Sequence, residues 1–274
     1  MHSHDCSYRS VGPHQIAFLD YGEGPPLVLI HGMFGDFLDW EGVLEPLSQS
    51  HRVIAVDLPG FGASSKPPGE YSVDSFVSVL HELLLQLGIQ QATLAGNSFG
   101  GQIAILYALT HPASVARLIL VDSGGFRKYT EEEKALTETN FGEPVFAALT
   151  PEIQELIFAP IFAKPSEISR RYVERQNAKL RRADYPAYAH ALVCNIRLAL
   201  STYLLDRLPE IHCPTLLVWG EADRALPLEQ ASRAVARLPQ GQLKVIPGCG
   251  HMPQLECPMG FLESVGPFLD EPTK

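Results

Sequence analysis

A serine flanked by glycines can serve as a nucleophile if the chain turns sharply beneath it. Gly96-Asn97-Ser98-Phe99-Gly100-Gly101 has that form, G-x-S-x-G. The glycines allow a tight turn and a close approach of two backbones, and the turn would lift the Ser98 hydroxyl out of the sheet edge. On its own the hexapeptide could be no more than a Gly-rich turn. The short apolar run before it and the helical pattern after it, Phe99 to Leu109, give it meaning. A serine hydroxyl is a weak nucleophile and needs a base. Of the ten histidines, His251 in Pro247-Gly248-Cys249-Gly250-His251-Met252-Pro253 follows the last strand-like run, where a Gly-rich loop can swing an imidazole over the sheet edge. His31, which directly precedes Gly32, reads better as a shaper of its own loop. The base needs an orienting carboxylate, and Asp223 in Trp219-Gly220-Glu221-Ala222-Asp223 follows the penultimate run. Ser98, Asp223 and His251 follow one another as Ser…Asp…His, a chain order in which such triads occur. Asp122, at the end of its own run, is the alternative acid. Glu221 is a weaker one, and Asp57 in Asp57-Leu58-Pro59-Gly60 reads as turn chemistry.

Acyl transfer also requires donors for an oxyanion. The Phe99 N–H, directly after the serine, is one expected donor. The Met33 N–H, in His31-Gly32-Met33-Phe34-Gly35, is the other.

These groups need a scaffold that delivers them to one edge. Six short apolar runs fit: Leu27–Ile30, Val53–Val56, Ala92–Ala95, Leu118–Val121, Thr215–Trp219 and Leu243–Ile246. Runs apolar throughout suit strands of a parallel sheet covered on both faces. From Val73 to Leu87 the apolar residues recur at helical spacing, with Ser72 as N-cap and Gly88 as stop. Alternating strands and helices predict an α/β fold with a mostly parallel, doubly wound sheet. The rhythm breaks over about 125–208, which has no strand-like run. Ile153, Leu156 and Ile157 share helical spacing there, and Arg170 to Arg182 also reads as helix. This predicts a core of 1–124 and 209–274 with a helical cap inserted at 125–208, in the position of an active-site lid.

The chain has 274 residues, 46% hydrophobic and 19% charged, which excludes a disordered chain. Its net charge of −10 argues against nucleic-acid binding. No apolar run is long enough to span a membrane. The start, MHSHDCSYRS, is polar and does not read as a secretory signal. Five cysteines without C-x-x-C spacing suggest free thiols in a reducing cytoplasm, with neither a disulfide framework nor a structural zinc site.

Together, His31-Gly32, Asp57-Leu58-Pro59-Gly60-Phe61-Gly62-Ala63-Ser64, Gly96-Asn97-Ser98-Phe99-Gly100-Gly101, Gly220-Glu221-Ala222-Asp223 and Gly250-His251 resemble the α/β-hydrolase superfamily, from about residue 14 to 270. His31-Gly32-Met33-Phe34-Gly35-Asp36 with Trp40 is similar to bacterial carboxylesterases and lipases with a helical cap. The G-N-S-x-G-G motif is also similar to meta-cleavage C–C hydrolases, but those carry an H-G-x-G-P-G type of loop, where this chain has Met33-Phe34-Gly35-Asp36. Serine at 98 speaks against epoxide hydrolases and haloalkane dehalogenases, whose nucleophile is aspartate. Cofactor-free perhydrolases share the triad. The resemblance implies a serine hydrolase of short- to medium-chain carboxylic esters, with Ser98, Asp223 and His251 catalytic, Met33 and Phe99 forming the oxyanion hole, and no metal or cofactor. The alternatives are a C–C hydrolase and a hydrolase fold used only to bind a ligand. The partner expected is a small-molecule ester. The sequence leaves the oligomeric state open.

Two further features carry weaker expectations. Phe34, Phe146, Phe158 and Phe162 are candidate substrate-binding residues, although the last three could equally form the core of the insertion. Lys164, Arg170, Arg171, Arg175, Lys179, Arg181 and Arg182, against Glu167 and Glu174, could attract an anionic substrate. They read better as a solvated helix face, with Arg171 and Arg175 pointing outward.

Overall fold

The computed structural model describes residues 6–271, so residues 1–5 of the polar start lie outside it. Strands β1 (Ser7–Val11) and β2 (His14–Tyr21) form a hairpin, and β3 (Pro26–Ile30) begins the parallel region. Helix α1 (Glu41–Ser48) leads to β4 (Arg52–Val56), α2 (Val73–Gln86), β5 (Ala92–Asn97), α3 (Phe99–Thr110) and β6 (Val115–Val121). Five helices follow before the next strand: α4 (Glu131–Asn140), α5 (Glu143–Ala147), α6 (Pro151–Phe158), α7 (Glu167–Lys179) and α8 (Tyr185–Ser201). The chain then rejoins the sheet through β7 (Thr215–Gly220), α9 (Glu229–Val235), β8 (Gly241–Ile246), α10 (Pro253–Glu256) and α11 (Pro258–Asp270).

The eight strands lie in the order β1-β2-β4-β3-β5-β6-β7-β8. Only the pairs β1·β2 and β2·β4 are antiparallel. The two-residue alternation of a strand divides the core into two layers. Val28 and Ile30 face α2 and α3, among Phe76, Leu80 and Ile103. Leu27 and Leu29 face α1 and α11, among Val43, Leu47, Phe261 and Phe268. Ser72 caps α2 by accepting the Ser75 N–H at 3.1 Å, and Gly88 takes φ +74° just past the helix end.

Three strands depart from the apolar-run reading, and the first is β2, whose buried Ile16, Ala17, Phe18 and Leu19 form a run outside those six. The hairpin strand β1 is mostly exposed and polar, so it has no apolar signal. Strand β8 is an edge strand with one neighbour. Its burial alternates, and Val245 is 39% exposed, so it is not covered on both faces as the run Leu243–Ile246 suggests.

Candidate active site

The turn from β5 into α3 places Ser98 at φ +53°, ψ −114°, in left-handed space that non-glycine residues rarely occupy. A side chain on Gly96 would strike the Gly100 carbonyl, and one on Gly100 would strike the Ile30 carbonyl. Both glycines are therefore demanded by close approach. The Ser98 N–H donates to the Val121 carbonyl at 2.9 Å, and the Ser98 carbonyl accepts the Gly124 N–H at 3.0 Å. The elbow is thus tied to the end of β6 on both sides.

The loop after β8 brings His251 to Asp223, with Nδ1 and Oδ2 2.7 Å apart. The other Asp223 oxygen accepts the N–H groups of Ala225 at 2.8 Å and Leu226 at 3.0 Å. Burial alone would raise the Asp223 pKa. The hydrogen bond and charge of His251, the neighbouring Asp122 and the Leu226 N–H outweigh it, and the carboxyl ends below its ordinary value. An ionised Asp223 places the imidazole proton on Nδ1 and leaves Nε2 a lone pair. The His251 carbonyl accepts from Asn97 Nδ2 at 3.1 Å, and its N–H donates to the Ile161 carbonyl at 2.7 Å.

Asp122 stands behind this pair. Its Oδ1 accepts the Gly220 N–H at 3.0 Å. Ligand atoms of Asp122, Asp223 and His251 lie within 4.8 Å of one another. Burial, with the charge of Asp223 adding to it, drives the Asp122 pKa well above the ordinary value, which favours its neutral form. Three such groups could also hold a cation. Asp223 Oδ1 and Asp122 Oδ1 already accept backbone N–H groups, and Asp223 Oδ2 is paired with His251.

His31 is fully buried, with Nδ1 2.7 Å from the Gly32 carbonyl and Nε2 accepting the Leu58 N–H at 3.1 Å. Burial lowers its pKa to about 4, so it is a neutral ring with both nitrogens occupied. Asp57 accepts the N–H groups of Phe37 at 2.6 Å and Ala63 at 2.7 Å, which makes it a brace between two loops. Glu221 accepts the Gly248 N–H at 2.9 Å.

Ser98 and His251 line one cavity of about 290 Å³ together with Met33, Phe34 and Phe99. Its wall includes Phe141, Ile157, Ile161, Leu200, Leu226 and Tyr172. Neither the Met33 nor the Phe99 N–H is used in a hydrogen bond among the described residues. Of the four candidate substrate-binding phenylalanines, only Phe34 lines this cavity. Phe158 and Phe162 each pack edge-on against Tyr172 at 5.5 Å, and Phe146 sits behind Phe34 at 6.2 Å. Those three are the packing of the helical segment. The wall residues Ile157 and Leu200 carry no distinguishing signal in the sequence, because their role depends on how the helical segment docks.

The basic stretch also differs from its reading. Arg170 and Arg171 are exposed. Arg175 instead pairs with the buried Asp39, and Lys179, 8% exposed, lies 3.0 Å from Asp36. These two point inward because α7 lies over the acidic loop that follows β3.

A profile of the alpha/beta hydrolase fold matches residues 25–258. The chain is 34% identical over 270 residues to 2-hydroxymuconate semialdehyde hydrolase of Pseudomonas sp. strain CF600, covering 92% of this chain and 89% of that protein. The structure of a thermophilic esterase from Thermogutta terrifontis superposes with a TM-score of 0.83 at 28% identity, over 97% of this chain and 98% of that one. A bacterial membrane phospholipase A superposes with a TM-score of 0.82 at 31% identity, over 97% and 86% of the two chains. No helix among the described residues is long and apolar enough to cross a membrane. With a matching profile over most of its length and a mostly parallel sheet carrying Ser98 on its β5 turn, the chain belongs to the alpha/beta hydrolase fold family.

Proposed function

We propose that the protein is a serine hydrolase of uncharged carboxylic esters. The observation that carries this reading is that Ser98 and an Asp223-oriented His251 border one largely apolar cavity. Ser98 Oγ attacks the ester carbonyl while His251 Nε2 takes its proton. The Met33 and Phe99 N–H groups receive the oxyanion, aided by the N-terminus of α3. His251 then protonates the leaving alcohol, and the acyl group stays on Ser98. Water, deprotonated by the same imidazole, releases the acid and restores the serine. Asp223 stays ionised and fixes the tautomer. Residues 125–208 act as a cap over the core of 1–124 and 209–274. A cavity near the lower end of small-molecule sites favours short to medium acyl chains.

A second reading is C–C hydrolysis of the meta-cleavage type, favoured by the relative from Pseudomonas sp. and by one from Pseudomonas putida that is named for a heptadienoate. A substrate bearing a carboxylate gains from a cation in the wall. Among the described lining residues there is no Lys or Arg, and the carboxyl of Asp39 is paired with Arg175. This supports an uncharged ester over the dienoate.

The test is hydrolysis of p-nitrophenyl esters from acetate to palmitate by wild type and Ser98→Ala, beside a vinylogous diketone. Turnover that peaks at short or medium chains and requires Ser98 supports the ester reading. Turnover of the diketone alone replaces it with C–C hydrolysis. A stoichiometric burst without turnover replaces it with ligand binding.

A further inference from the structure

We propose that Lys179 and Tyr188, both on the cap, are positioning residues that hold the Met33–Phe34 turn in its oxyanion-binding shape by gripping the Phe34 carbonyl. The proposal rests on the reading of Met33 as an oxyanion donor.

The Gly35 N–H donates to the Gly32 carbonyl at 3.2 Å, which closes a four-residue turn. Of its two central residues, Phe34 alone lies in left-handed space, at φ +66°. That is the pattern of a type II turn, whose third position favours glycine. Phenylalanine is strained there, and such a conformation persists only where its surroundings impose it. An alternative turn rotates the peptide plane between Met33 and Phe34, which carries the Phe34 N–H, and strains the adjoining plane that carries the Met33 N–H.

The imposing groups come from the cap. Lys179 Nζ, at the end of α7, donates to the Phe34 carbonyl at 2.8 Å. The Tyr188 hydroxyl, on α8, donates to the same oxygen at 3.0 Å. Lys179 also pairs with Asp36 at 3.0 Å, so it ties two points of one loop. Asp36 in turn accepts the Leu38 N–H at 3.1 Å. Both Lys179 and Tyr188 are buried, so water does not compete for the carbonyl. The Phe34 ring packs edge-on against Phe158 of α6 at 5.4 Å, a third cap contact on the same residue. Two helices distant in sequence thus converge on one strained carbonyl beside the serine.

The experiment compares Lys179→Met and Tyr188→Phe with wild type on p-nitrophenyl butyrate, per active site titrated with a fluorophosphonate. Tyr188→Phe removes one oxygen and keeps the ring against Phe61, so it stays informative if Lys179→Met folds poorly. Arg171→Met, on the exposed face of α7, is the control and should match wild type. The expected result is a kcat loss of about 10- to 100-fold for Lys179→Met and about 3- to 10-fold for Tyr188→Phe, with KM within about threefold. Affinity for a trifluoromethyl ketone, which forms a tetrahedral adduct, should fall in step with kcat, while affinity for the methyl ketone holds. Amide exchange over residues 32–36 should quicken in both variants without a change over β5 and α3. An unchanged kcat in both, or a raised KM with kcat intact, overturns the proposal. If wild type shows no Ser98-dependent ester turnover, the ester reading fails, and exchange alone decides the clamp. Faster exchange over 32–36 supports it, and unchanged exchange overturns it.

Discussion

Ser98 and the loop that faces it are held by different kinds of bond. Ser98 sits between β5 and α3, with its N–H and carbonyl both bonded to backbone at the end of β6. Asp223 is fixed by two N–H groups of its own turn, and His251 by Asn97. The Met33–Phe34 turn depends on the long side chains of Lys179 and Tyr188, from a segment more than 140 residues away. The first arrangement is set by the sheet and has few ways to relax. The second can be loosened by any motion of the helices between β6 and β7. If the Met33 N–H receives the oxyanion as proposed, motion of these helices would act on that donor and leave Ser98 in place.

The sharpest way to break this contrast is to remove the nucleophile. Ser98→Ala should lower kcat by about 10⁴- to 10⁶-fold without loss of fold, since residual rate then comes only from binding and the oxyanion donors. Circular dichroism with ester kinetics checks this, and full activity would remove Ser98 from the mechanism. Asp223→Asn comes next. It keeps the shape but favours the wrong tautomer of His251, and should cost about 10³- to 10⁴-fold in kcat. If Asp122→Asn were crippled and Asp223→Asn were not, the orienting acid would be Asp122.

The strand ends that carry Ser98 and Asp223 were legible in the sequence because they lie on buried, apolar strands whose glycines cannot be replaced. The pairing of Lys179 with Asp36 was not. On α7, Arg171 and Lys179 look alike as residues of a charged helix, yet one is exposed and the other is 8% exposed. What separates them is the docking of α7 on the loop after β3, a contact between segments about 140 residues apart. The same reason hid the cavity wall. Ile157 borders the Ser98 cavity while its neighbour Leu156 is 76% exposed, and hydrophobicity does not tell them apart. Strand β1 escaped for the opposite reason, since an exposed edge strand needs no apolar run.

The smallest effect on rate is expected at Asp122, where stability is the better readout. Among the described residues Asp122 is one of three non-glycine residues at positive φ, with Phe34 and Ser98. Asparagine tolerates that backbone well. Its amide can accept the Gly220 N–H through oxygen and donate to Asp223 through nitrogen, so Asp122→Asn should change kcat by less than about 10-fold. The folded Asp122 keeps its proton well above the pH at which the unfolded residue loses it, because burial and the Asp223 charge oppose ionisation. Between those two pH values the folded state binds the extra proton, so stability falls as pH rises, by at most about 1.4 kcal/mol per pH unit. Asparagine has no proton to lose. The Tm of Asp122→Asn should therefore equal or fall slightly below that of wild type near pH 4 and exceed it increasingly toward pH 8. A Tm difference independent of pH would mean that Asp122 is ionised in the folded protein and that burial does not set its protonation.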